Sequence, residues 1–164
     1  MMSLESRLAE HPFLKGFSAD HLKTLVQYAM PVQFDRGEIL FREGDLANRF
    51  YLICSGRVEL STEHNQKVQP VDTIGAGDAL GWSWLFAPYY WHFDATAREL
   101  VQAIFFYGTR LREKCESDPT LGHQLMKATA AIIIQRLQAT RRRLVEANRQ
   151  SEARSGCSVV EGIN

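Results

Sequence analysis

Cysteine is scarce and scattered in this chain: Cys54, Cys115 and Cys157 are the only three among 164 residues. They are isolated and odd in number. None has the paired spacing that a zinc or iron–sulfur site requires, and a reducing compartment suits them best. An excess of either charge is also missing, with 19 Lys and Arg against 19 Asp and Glu. No overall field therefore draws the chain to nucleic acid or to an anionic membrane. No apolar run approaches the roughly 18 residues that suggest a membrane span. The N-terminal stretch carries Glu5 and Glu10 where a secretory signal would need a basic start and an unbroken apolar run. The expectation is a cytoplasmic protein that binds neither DNA nor membrane.

What is present is ordinary globular composition, 45% hydrophobic, 23% charged and 10% aromatic, in a length that suits one domain. From Ser3 to Met30, the apolar positions Leu4, Leu8, Phe13, Leu14, Phe17, Leu22, Leu25 and Val26 are broken by Pro12 and restarted by Ser18-Ala-Asp. That pattern predicts two short amphipathic helices, with Ser18 an N-cap. From Val32 to Leu111 the pattern changes to short β-rich runs, among them Phe50-Tyr-Leu-Ile-Cys54 and Ala103-Ile-Phe-Phe-Tyr107, with Gly and Asp between them. Turn signals about every ten residues predict a sandwich or barrel.

A short helix over Thr109–Glu116 should end at Asp118-Pro119. From Thr120 to about Gln150 a single long helix is expected, with one glycine and no proline. Spacings of three and four along His123, Met126, Ala130, Ile133, Leu137, Thr140, Leu144 and Ala147 form a heptad seam. That seam predicts a homodimer, with Met126, Ala130, Ile133, Leu137 and Leu144 at the interface. A neighbouring stripe, Leu121, Leu125, Ala128 and Ile132, could dock on the barrel. The division expected is N-terminal helices over 1–30, β-rich body over 31–108, C-terminal helices over 109–150 and a polar, mobile tail over 151–164.

Three stretches carry a family resemblance. Pro12-Phe-Leu-Lys-Gly-Phe-Ser-Ala-Asp-His-Leu22, Phe34-Asp-Arg-Gly-Glu-Ile-Leu-Phe-Arg-Glu-Gly-Asp45 and Phe50-Tyr-Leu-Ile-Cys-Ser-Gly-Arg-Val58 stand in this order, followed by Gly77-Asp78 and Gly81. The sequence resembles the cyclic-nucleotide-binding domain family over about Pro12 to Leu144. The resemblance implies a mostly β fold with flanking helices, a double-stranded β-helix or jelly-roll β-roll, followed by a long C-terminal helix. It further implies a phosphate-binding cassette over 77–97 and a non-enzymatic sensor or regulatory role in signal transduction. In the family's cytoplasmic transcription factors a helix-turn-helix follows the long helix; about twenty residues remain here beyond Leu144, and no such domain is expected.

The cassette departs from the family pattern at both of its recognition side chains. Trp82 follows Gly81 where the family has a glutamate for the ribose. Counting back from Ala97, the arginine that pairs with the cyclic phosphate falls near Trp91 or His92, and no Lys or Arg occurs between Lys67 and Arg98. A buried phosphate would lack its charge partner unless His92 were protonated. Ordinary cyclic AMP or cyclic GMP binding is not expected. Trp82, Trp84, Phe86, Tyr89, Tyr90, Trp91 and Phe93 make seven aromatic residues out of twelve. They could plug the pocket, rebuild it for an apolar, aromatic or haem-like ligand, or expose a patch for a protein partner. The candidate ligand site is Gly77, Leu80, Gly81, Trp82, Ser83, Trp84, Tyr90, Trp91 and His92, with no cofactor and no metal expected.

Other constellations offer less. A cupin-like metalloprotein would need a His-x-His pair and a carboxylate, which His64 and His92 do not supply. Asp94 could orient His92, yet neither has a nucleophile beside it in sequence. Arg141-Arg-Arg143, with Arg136 and Arg149, reads as a solvated helix face. Arg110, Arg112, Lys114 and Lys127 read as surface charge.

Overall fold

In a computed structural model that describes the backbone of residues 1–160 and the side chains of residues 1–156, the chain forms two compact units. The first is Met1–Met126 and the second begins at Lys127. Helices α1 (Leu4–Glu10) and α2 (Ala19–Val26) open the first unit, with a 3-10 turn over Pro12–Leu14 between them. The second helix starts at the expected Ser18 cap, and the first at a Ser3 cap of the same kind. The Ser3 and Ser18 hydroxyls accept from the Ser6 and His21 amides at 3.1 Å, satisfying donors that the first turn leaves free.

Eight antiparallel strands follow: β1 (Ala29–Phe34), β2 (Ile39–Phe41), β3 (Arg49–Ser55), β4 (Val58–His64), β5 (Lys67–Ile74), β6 (Ala79–Leu80), β7 (Asp94–Ala97) and β8 (Val101–Tyr107). They make two four-stranded sheets, ordered β1-β8-β3-β6 and β2-β7-β4-β5. Phe34, Leu40, Phe41, Tyr51, Ile53, Val58, Leu60, Leu80, Val101 and Phe105 fill the space between the sheets. The first sheet is apolar on its other side as well, because helices cover it there: Phe50 packs on Phe13 and Trp84, and Leu52, Ile104 and Phe106 are buried. A strand buried on both faces reads as a continuous apolar run rather than an alternation. Residues 50–54 are such a run. The second sheet is exposed along β5, whose Pro70 suits an edge strand that needs no ladder donor there.

Helix α3 (Gly108–Ser117) leads into α4 (Pro119–Val160). Its junction is set by Asp118, whose carboxylate accepts from the Leu121 amide at 3.3 Å. Leu121 and Leu125 are buried in the first unit, whereas Ala128 and Ile132, the rest of the expected docking stripe, fall in the second. Helix α4 continues ten residues beyond the expected end at Gln150. Residues 151–160 contain no proline, and the one glycine among them, Gly156, costs a helix only about 1 kcal/mol. The expected tail over 151–164 is thus helical as far as Val160, and its last four residues lie outside those described. Among the described residues, no helix is long and apolar enough to cross a membrane.

Candidate functional site

Strand β6 ends at Leu80, and Gly81 turns the chain into a short 3-10 turn over Trp82–Leu85. Gly81 has φ +95°, and a Cβ placed on it would lie 2.7 Å from the Trp91 ring and 3.0 Å from the Arg49 carbonyl. Only glycine satisfies both the left-handed backbone and the close approach. Gly77 turns with φ +90° before β6.

The aromatic residues of this segment separate instead of forming one cluster. Trp91, 3% exposed, enters the space between the sheets and stacks on Phe41, with ring centroids 3.8 Å apart and planes inclined by 12°. It belongs to the roll's own core. Trp84, fully buried, lies on the helix side of the first sheet against Phe50. Its indole N–H has no hydrogen-bond partner. Trp82 is half-buried, with Phe86 at 6.5 Å and His92 at 6.3 Å. Leu80 and Ser83 are buried, while Tyr90 and His92 are exposed. Deleting a large ring from a packed core typically costs about 3–5 kcal/mol, a range that applies to Trp84 and Trp91 but not to Trp82.

The cassette loop is tied down from two directions. Across the loop, the Ala47 amide donates to Tyr89 at 2.6 Å, the Gly44 amide to Trp91 at 2.9 Å and the Trp91 amide to Asp45 at 3.0 Å. From α3, Arg112 donates to the Trp84 carbonyl and sets its guanidinium 4.0 Å from the Tyr89 ring centroid. Arg112 is half-buried, so its reading as surface charge is corrected. A Cβ on Gly108, at the start of α3, would lie 2.9 Å from Trp84 Cβ. Helix and loop therefore meet too closely for any side chain there.

Three further residues bear on the site. Arg49 and Tyr51, two apart on β3, share the strand face that looks between the sheets, and Phe41 provides the surface on which Trp91 stacks. The period-2 rule places Arg49 beside Tyr51, but the contribution of β3 to the cassette emerges only once β3 pairs with β6. The Asp94 carboxylate, a candidate to orient His92, accepts from the Glu43 amide at 2.7 Å. Among the described residues, no three His, Cys, Asp or Glu side chains converge as a metal site.

Comparison with known proteins identifies the fold's lineage. The family model described as the cyclic nucleotide-binding domain matches residues 31–118, more than half of the chain. The chain belongs to the cyclic nucleotide-binding domain family. This cyclic nucleotide-binding domain is 26% identical over 144 residues to a CRP-like cAMP-activated global transcriptional regulator of Mycobacterium tuberculosis, a match covering 87% of this chain and 62% of the relative. The chain thus spans about three fifths of that relative's length. A crystal structure of a cyclic nucleotide-binding protein from Geobacter metallireducens matches with a TM-score of 0.76 at 29% identity, over 83% of this chain and 99% of that one. A cyclic nucleotide-binding domain from Methylobacillus flagellatus gives a TM-score of 0.77 at 20% identity, over 87% and 83% of the two chains.

Proposed function

We propose that this domain is a non-enzymatic regulatory module whose nucleotide cassette is occupied by its own side chains and takes neither cyclic AMP nor cyclic GMP. The observation that carries this reading is Trp91. It is one of the two residues, with His92, near which the family resemblance puts the phosphate-binding arginine, and its ring is packed between the sheets against Phe41 at 3.8 Å. A cyclic phosphate there would lose its cation and would have to displace a buried indole. Trp82, in the glutamate position, removes the ribose acceptor as well. The helix α4 is the output element, and its seam, with Met126, Ala130, Leu137 and Leu144 exposed and Ile133 half-buried, supports assembly with a second copy.

Calorimetry with cyclic AMP and cyclic GMP tests this reading. No binding heat is expected for either nucleotide, and sub-micromolar affinity for one of them would overturn the closed cassette. The double substitution Trp82→Glu with Trp91→Arg restores both recognition groups and vacates the interior. It is expected to raise nucleotide affinity above that of the wild type.

A further inference from the structure

The inner face of the first sheet does not end with the core. At the end where β6 gives way to the cassette, it continues as Arg49, Tyr51, Phe105 and Tyr107. Register places Arg49 opposite Tyr107 and Tyr51 opposite Phe105, with Met30 of β1 opposite Phe105 on the other side. Phe105 and Tyr107 meet edge to face with centroids 4.6 Å apart, Tyr51 lies 5.7 Å from Phe105, and the Arg49 guanidinium carbon stands 5.6 Å over the Phe105 ring. Tyr107 is 45% exposed and Arg49 is exposed, so solvent reaches this end of the roll.

Two observations point to a missing ligand. Arg49 takes part in neither ion pair found among the described residues, which join Arg57 to Glu99 and Arg98 to Glu59. The Tyr51 hydroxyl, in a residue only 1% exposed, has the Arg49 guanidinium as its hydrogen-bonding neighbour, at a geometry short of a well-formed bond. Burial raises its pKa, and the Arg49 guanidinium is near enough to oppose that rise. A buried hydroxyl held at poor geometry leaves both it and the guanidinium short of their full hydrogen bonding. A guanidinium held over an aromatic wall with no carboxylate opposite it is set up for an anion that can also stack.

We propose that Arg49, with Tyr51, Phe105 and Tyr107, binds a planar aromatic anion at the open end of the roll. The inference rests on the proposed reading, because it supplies from β3 the cation that the cassette lacks. It departs from that reading in placing the charge next to Gly81, where an added Cβ would lie 3.0 Å from the Arg49 carbonyl, and not at the Trp91 position. The rings provide the stacking surface, and the guanidinium pairs with the anionic group. A neutral aromatic would gain only the stacking.

Two fluorescent probes separate these contributions in the full chain. One is 8-anilinonaphthalene-1-sulfonate, an aromatic sulfonate, and the other is N-phenyl-1-naphthylamine, the same ring system without the anion. The wild type should bind the sulfonate, and Arg49→Gln should weaken it by about tenfold, the usual scale for losing one charge-assisted contact. The neutral probe should be unaffected by that substitution, and Arg36→Gln, at a distant exposed arginine, should leave both probes unaffected. Raising the salt concentration on the unaltered protein should weaken the sulfonate and spare the amine, a readout independent of how any variant folds. Absent sulfonate binding, equal affinity in Arg49→Gln and wild type, or an equal loss in Arg36→Gln would overturn the assignment. Displacement of the sulfonate by micromolar cyclic AMP would instead count against the closed cassette, while the Arg49 comparison would stand on its own result.

Discussion

His11 uses both of its ring nitrogens. Nδ1 accepts from the Phe13 amide at 3.2 Å, so it carries no proton, and Nε2 therefore donates to the Ile53 carbonyl at 3.0 Å. This neutral tautomer joins the end of α1 to β3 one step from the cassette, since Gly77 lines the same shallow groove as His11, with Arg7, Glu10 and Cys54. A second proton would set Nδ1–H against the Phe13 N–H. Burial lowers the His11 pKa, and the Ile53 hydrogen bond and the Asp78 charge pull it partly back. The unfolded chain thus takes up a proton at higher pH than the folded one, and acid favours unfolding. The stabilisation from neutral His11 is complete above the ordinary histidine value near 6.5 and is lost as pH falls through the lowered folded value. Melting temperature measured from pH 8 to pH 5 should fall on the acid side, and His11→Asn should flatten that fall. Parallel curves for the two proteins would refute the assignment.

At the scale of elements, Arg112 connects α3 to the cassette loop. Its guanidinium both caps the Trp84 carbonyl and covers the Tyr89 ring, while Tyr89 itself holds φ at +60°, a conformation that needs its surroundings to persist. Arg112→Ala should raise amide exchange over residues 82–90 several-fold and leave β3 and β8 protected. Arg112→Lys should keep the charge yet protect only in part, because an ammonium cannot lie flat on the ring while bonding the carbonyl. Unchanged exchange in the Ala variant would make the contact incidental. The strands and their glycine turns were legible from sequence because they depend on neighbouring residues: Gly77 and Gly81 turn with positive φ where the β-rich runs break. The fate of the three tryptophans was not. Trp82, Trp84 and Trp91 stand within ten residues of one another, but a 3-10 turn and a return strand send them to three surroundings. Local spacing cannot encode that separation. Arg112 was missed for the same reason, since its partners lie some 25 residues away in sequence.

For the whole molecule, the question is what stabilises α4 beyond Met126. Helices draw most of their stability from burying an apolar face, because propensity alone leaves an isolated helix marginal in water. In the single chain Met126 is 43% exposed, Leu137 67% and Leu144 61%, and all three lie on the heptad seam read from the sequence. A second copy aligned on that seam would cover them, with Ile133 and Leu137 at its centre. Small Ala130 and polar Thr140 reduce the apolar contact, and Arg141, Arg142 and Arg143 would approach their symmetry mates unless they point outward. The contact should therefore depend on Ile133 and Leu137 more than on the ends of the seam. Light scattering at tens of micromolar should give twice the chain mass for the wild type. Ile133→Glu with Leu137→Glu should give the chain mass or an insoluble protein, since it places four carboxylates in the shared seam. Arg141→Glu with Arg142→Glu should leave the mass at twice the chain. A monomeric wild type at that concentration would rule out the pairing and require some other protein to cover the exposed face of α4.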